Sequence, residues 1–144
     1  HRQLETLLVV DLGDSRRFAL PTSMISRLEK VPTESIEFAD GREVVQYRGA
    51  IMPLMRLSEV FGGRESTETH LDELQIVVYA DQDFRCGLVV NRIVDIVETE
   101  LDLSKTRGAE DNLLGTSVIQ ERVTDVLNLR RLARRPAAPK FAVT

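Results

Sequence analysis

The chain reads as a mainly β protein, a barrel or sandwich with short helices, on three observations. Short runs rich in Val, Ile and Leu recur along it, compact turn sequences separate them, and the apolar pattern of the first half returns in the second. Strands of that kind, joined by tight turns, form antiparallel hairpins.

The first run, residues 4–12, ends at Gly13-Asp14-Ser15; residues 17–20 resume the apolar pattern until Pro21 stops it. Asp40-Gly41 separates 35–39 from 43–47, and Arg48-Gly49 separates that run from 50–57. Further on, Asp81-Gln82-Asp83 joins 74–80 to 84–90, and Gln120-Glu121-Arg122 joins 116–119 to 123–127. Pro53 stands inside a β-rich run, which predicts an edge or a bulge there, because proline lacks the N–H that a central strand uses. Helices are brief: 21–26, 57–61 and 129–134 are the candidates.

The polar segment 62–73, with Gly62-Gly63, Arg64-Glu65 and His70, reads as a loop between two halves. At a fixed offset Phe18, Leu20, Ile25 and Leu28 match Cys86, Leu88, Ile93 and Ile96. With a small loop adjustment Ile51, Leu54, Met55, Leu57 and Val60 match Val123, Val126, Leu127, Leu129 and Leu132. A duplicated strand, turn, strand and short-helix unit follows, meaning two small barrels. At 144 residues the chain fits one domain spanning 1–144, with the barrels joined near 62–73 and a tail at 133–144 that frays into solvent.

Composition narrows the function classes. With 42% apolar and 29% charged residues the balance is that of a packed globular protein. A net charge of −4 argues against general nucleic-acid affinity, which relies on clustered Lys and Arg. No apolar stretch approaches the roughly 20 residues of a membrane-spanning helix, so no direct membrane insertion is expected, and no secretory signal is visible. The single cysteine, Cys86, lies among Gly87-Leu88-Val89-Val90 and reads as a buried structural thiol, suited to a reducing cytoplasm.

No catalytic constellation is expected, and no cofactor or metal site. His1 is terminal and His70 lies in a polar loop, outside any ligand or nucleophile spacing, and Gly62-Gly63 lacks the residues of a phosphate-cradling loop. Asp11/Asp14 and Asp81/Asp83 read as turn formers rather than cation ligands. A small-ligand-binding barrel would need a deep polar pocket, and no convergent His, Cys or acid set is there to line one. The basic run from Arg130 to Arg135 reads as cations at a helix C-terminus before it reads as a docking site. Arg48 stands out, because a hairpin tip beside Gly49 presents a planar donor fork to a partner's carboxylates or carbonyls.

Several separated motifs point to a family. Residues 42–49, Arg-Glu-Val-Val-Gln-Tyr-Arg-Gly, with 51–62, Ile-Met-Pro-Leu-Met-Arg-Leu-Ser-Glu-Val-Phe-Gly, resemble the central signature of CheW-like domains. Residues 86–98 are similar to that family's second signature, and 115–132 to its closing strands and short helix.

The resemblance implies two small SH3-like β-barrels packed around a shared apolar core. It also implies a non-catalytic coupling role in bacterial chemotaxis, with a CheW-type adaptor or CheA-type kinase and the cytoplasmic tip of a chemoreceptor as partners. The location implied is cytoplasmic, at receptor arrays. Adaptors of the family usually carry Asn-Leu-Arg-Gly where this chain has Gln46-Tyr47-Arg48-Gly49, so only Arg48 and Gly49 carry over. Arg27 also falls where the adaptor tends to be acidic. The Gln46-Tyr47 departure, together with Phe18-Ala19-Leu20-Pro21 and the Gly41-Arg42-Glu43 approach, looks more like the kinase-attached version, whose missing kinase modules would lie outside this chain. Arg27 points to a different partner charge preference. Asn128 stands where many relatives have Asp. Besides Arg48 and Gly49, residues Ile25, Leu28 and Val44 are similar to positions near the receptor-facing groove and complete the expected partner-binding set.

Overall fold

A computed structural model describes residues 4–13, 15–62, 72–82, 84–103 and 112–134. The described strands are β1 (Leu4–Asp11), β2 (Arg17–Pro21), β3 (Arg27–Pro32), β4 (Glu37–Ala39), β5 (Arg42–Tyr47), β6 (Ala50–Arg56), β7 (Glu73–Asp81), β8 (Phe84–Val90), β9 (Arg92–Glu100), β10 (Leu113–Ile119) and β11 (Arg122–Leu127). Two helices, α1 (Leu57–Phe61) and α2 (Leu129–Ala133), follow β6 and β11, and a 3-10 turn at Thr22–Met24 takes only the middle of the helix expected at 21–26, Pro21 closing β2 instead.

The strands form two sheets, ordered β10-β11-β2-β1-β9 and β3-β7-β8-β6-β5-β4. Each sheet curls back on itself. In the first, Gln120 at the β10–β11 turn donates to Asp95 on β9 at 2.7 Å, and in the second Tyr47 at the end of β5 donates to Glu29 on β3 at 3.3 Å. The result is the expected pair of small barrels.

The expected division into an N-terminal and a C-terminal barrel joined near 62–73 is not how the sheets are built. Strands β6 and β7, on either side of that segment, belong to the same sheet, and each sheet draws on both halves of the chain. The duplicated units exchange their first hairpins: β1 and β2 join β9–β11, and β7 and β8 join β3–β6. Leu28 on β3 pairs with Val77 on β7, and its counterpart Ile96 on β9 pairs with Leu8 on β1. The repeat also holds in the parallel contacts: Leu54 lies opposite Gly87, as Val126 lies opposite Ala19.

Three apolar clusters follow from strand alternation, since successive side chains point to opposite faces. On β1, Leu8 and Val10 face the core shared between the sheets while Leu7 and Val9 face the interior of the first barrel. On β7, Val77 and Tyr79 enter the shared core and Leu74, Ile76 and Val78 fill the second barrel. Strands buried on both faces read as nearly continuous apolar runs, which is why these segments lack polar alternation. Leu57 of α1 and Leu129 and Leu132 of α2 plug the shared core, each buried side chain contributing about 1.5–3 kcal/mol.

Pro53, expected at an edge or bulge, lies in β6, which is flanked by β5 and β8. Counting from the two-residue turn, Val44 and Pro53 form a non-hydrogen-bonded pair, so the missing N–H points away from β5. Pairing with β8 begins only at Leu54, so no ladder bond is lost.

The chain beyond residue 132 is not wholly a fraying tail. Ala133 is buried in α2, and Arg134 donates to Asp81 at 3.0 Å. Residues 135–144 lie outside the described residues, as do His1, Asp14, Asp83 and the 63–71 segment with His70.

Candidate functional site: the hairpin ends of the barrels

Three hairpins end in two-residue turns whose backbone is left-handed at both positions; Asp40 (φ 53°) and Gly41 (φ 74°) connect β4 to β5. Arg48 (φ 51°) and Gly49 (φ 78°) connect β5 to β6, and Gln120 (φ 53°) and Glu121 (φ 62°) connect β10 to β11. Such turns match the twist of paired strands, and glycine takes the conformation without strain. Arg48 therefore sits at the tip the sequence predicted, held out from the strands by its own backbone.

Around this tip lies an open concavity of about 580 Å³, lined by Glu37, Phe38, Ala39, Val44, Gln46, Arg48, Gly49, Ala50 and Ile51. Val44, Arg48 and Gly49 are thus brought together. Ile25 and Leu28 are not among its lining residues. Ile25 is half-buried against the shared core, and Leu28 is 43% exposed on β3, opposite Val77. Val44 is only 8% exposed, so it forms the floor of the concavity rather than a projecting contact.

The projecting apolar groups are others. Phe38 stands exposed on β4, and Ile51 is 66% exposed one residue beyond Ala50 on β6. On the corresponding hairpin Val123 is 70% exposed, with its cross-strand neighbour Val118 exposed beside it. Ile51 and Val123 occupy the same place in the repeat, two positions out from the turn on its C-terminal strand. The two are matched apolar residues in the sequence repeat, and strand pairing is what puts them on the outward side of a hairpin.

Charge around the hairpin is arranged in two ways. Arg56 grips Glu43 with two hydrogen bonds of 2.8 and 3.0 Å, clamping β6 to β5 behind the concavity. Arg48, by contrast, lies over the ring of Tyr47, its guanidinium carbon 5.5 Å from the centroid, and Arg85 approaches the same ring at 5.4 Å. Gln46 donates to Glu37 at 2.9 Å and ties β5 to β4 at the rim.

At the other hairpin, Gln120 accepts from Arg17 at 2.6 Å and donates to Asp95 at 2.7 Å. Asp95 also accepts from the backbone N–H of Ile96 at 2.8 Å. The Gln120 bond, then the Ile96 bond and the nearby Arg17 charge, hold the Asp95 carboxyl below its usual range.

The candidates for other chemistry take structural places. Asp11 accepts from the N–H of Gly13 at 2.6 Å and faces Arg92 at 3.5 Å. Asn128 accepts from the N–H of Arg131 at 3.2 Å and caps α2, a task that asparagine performs as well as aspartate. Cys86 is buried in the shared core, and burial, with a smaller contribution from Asp81, pushes its thiol from 9.0 up to about 12. Among the described residues no group of three or more His, Cys, Asp or Glu is placed to hold a metal ion. No helix among them is long and apolar enough to cross a membrane.

Comparison with known proteins agrees with this architecture. Chemotaxis protein CheA of Cereibacter sphaeroides is 25% identical over 88 residues, a match covering 61% of this chain and 13% of that protein. The crystal structure of the scaffolding protein TtCheW from Thermoanaerobacter tengcongensis superposes with a TM-score of 0.66 at 17% identity, covering 90% of this chain and 87% of that one. The likeness confirms the SH3-like fold. The CheW-like domain family matches residues 6–137, nearly the whole length, and the chain belongs to that family.

Proposed function

We propose that the chain is a non-catalytic coupling domain of chemotaxis signalling, acting as the regulatory domain of a CheA-type histidine kinase. It docks a CheW-type adaptor and the cytoplasmic tips of chemoreceptors, and it works in the cytoplasm at receptor arrays. The observation that carries this reading is the face around the β5–β6 turn, where Phe38 and Ile51 stand exposed beside a concavity with Arg48 at its lip. Exposed apolar groups rimmed by polar ones mark protein interaction sites. The CheA match supports the choice of a kinase-attached domain.

A second reading, a free-standing adaptor, is supported by the near-complete mutual coverage with TtCheW. The two readings differ in partner: a kinase-attached domain binds a CheW-type adaptor, whereas an adaptor binds the regulatory region of a CheA-type kinase. Adding the purified domain in excess to a reconstituted receptor, adaptor and kinase assembly should lower receptor-coupled phosphorylation by competition. Unchanged phosphorylation at saturating domain would contradict both.

A further inference from the structure

We propose that Arg48 and Arg85, laid together on the ring of Tyr47, form a recognition point for an acidic side chain of a partner protein. The inference rests on the docking role just proposed for the β5–β6 hairpin and names what that face selects.

Tyr47 is fixed at both ends. Its ring packs against the interior of the second barrel, and its hydroxyl donates to Glu29. The guanidinium carbons of Arg48 and Arg85 lie 5.5 and 5.4 Å from the ring centroid, so one half-buried aromatic orders two exposed cations. A guanidinium held over a ring by cation–π attraction keeps N–H donors for a carboxylate fork.

Neither arginine has a carboxylate partner among the described residues, whereas Arg27, Arg56, Arg92 and Arg134 each face one, at distances from 2.8 to 3.9 Å. In a chain of net charge −4, two unpaired cations on one ring are where an acid is missing. The repeat gives an internal reference. Gln120 holds the position of Arg48 in the other hairpin, and it is satisfied within the chain by Asp95 and Arg17. The second barrel leaves the same position open.

A carboxylate fits better than a phosphate. Ile51 beside the turn and Phe38 on β4, both lining the concavity, favour an acidic residue with apolar neighbours.

The whole domain can be titrated with the blocked peptide acetyl-Leu-Glu-Ile-Glu-Leu-amide while the arginine Nε–H resonances are followed by NMR. Those of Arg48 and Arg85 should shift together and saturate, at least fivefold more tightly than with the Gln-for-Glu peptide or with inorganic phosphate at matched ionic strength. Arg85→Lys should lose that preference. Equal response to the Gln peptide, tighter binding of phosphate, or no shift at either arginine would overturn the proposal. In a second arm, Arg85→Ala should weaken binding of a CheW-type adaptor about tenfold with an unchanged Tm. If that adaptor binds wild type and Arg85→Ala equally, this proposal falls while the docking role stands. If the acidic peptide saturates the two arginines but no adaptor binds wild type, the docking role falls and the recognition point remains.

Discussion

A Cβ placed on Gly87 would lie 2.7 Å from Cγ2 of Ile76, inside the second barrel where β8 crosses β7 and β6. The same atom would lie 2.8 Å from Leu54 Cδ2 and 3.1 Å from Met52 Cε, so the interior closes on the bare backbone from three sides. Ala19, which holds the corresponding place in the first barrel, shows that the repeat keeps this position small. Overpacking a filled core costs about 1–3 kcal/mol. Gly87→Ala should lower the midpoint of thermal unfolding by several degrees and Gly87→Val by more. A wild-type melting curve for Gly87→Val would show that the barrel is looser than these contacts imply.

The carboxyl of Asp95 is depressed first by its bond from Gln120. A depressed carboxyl contributes stability that is present above its unfolded value, near 3.8, and is lost as pH falls through the lower folded one. In an NMR titration of the side chain, Gln120→Ala should move the Asp95 midpoint upward toward 3.8. An unmoved midpoint would leave the Ile96 N–H and the Arg17 charge as the causes.

Cys86, with its thiol raised to about 12, stays protonated throughout the physiological range. Because the folded value lies above the ordinary 9.0, the contribution of this group is fully present below pH 9 and fades as pH rises toward 12. At pH 8 a thiol reagent should label the native protein far more slowly than the urea-unfolded chain. Comparable rates would place the sulfur outside the shared core.

Much of the fold was legible because burial imposes a period on the strands. The unbroken run from Leu7 to Val10 is buried on both faces, and the turns at Asp40-Gly41 and Arg48-Gly49 fall where their residues require. Helix α1 occupies the stretch expected for it, residues 57–61. The exchange of the β1–β2 and β7–β8 hairpins between sheets was not legible, since apolar period reveals which faces are buried and not which distant strand covers them. The pairing of Leu28 with Ile96 in the repeat was its only trace.

The candidate site was legible at its tip and misjudged at its floor. Val44 and Val45 are adjacent and point to opposite faces, both buried, one beneath the concavity and one inside the barrel. Sequence alone ranks neither as exposed. Phe38 and Ile51, which do project, are ordinary apolar residues until strand pairing assigns them an outer face.

In the proposed docking role the apolar rim of the β5–β6 hairpin supplies most of the affinity. Burial is worth about 25 cal/mol per Å², against about 0–1 kcal/mol for each exposed ion pair. Arg48→Ala should then weaken binding while leaving the fold intact, and high salt should weaken it only modestly. The most direct measurement is calorimetric titration of a CheW-type adaptor into wild type and Ile51→Asp, at low salt and at 1 M salt, where charges are screened beyond about 3 Å. The account predicts one adaptor per domain at both salts, and at least a tenfold loss for Ile51→Asp with an unchanged melting temperature. Wild-type affinity in Ile51→Asp, or affinity that collapses at high salt while the fold persists, would contradict it.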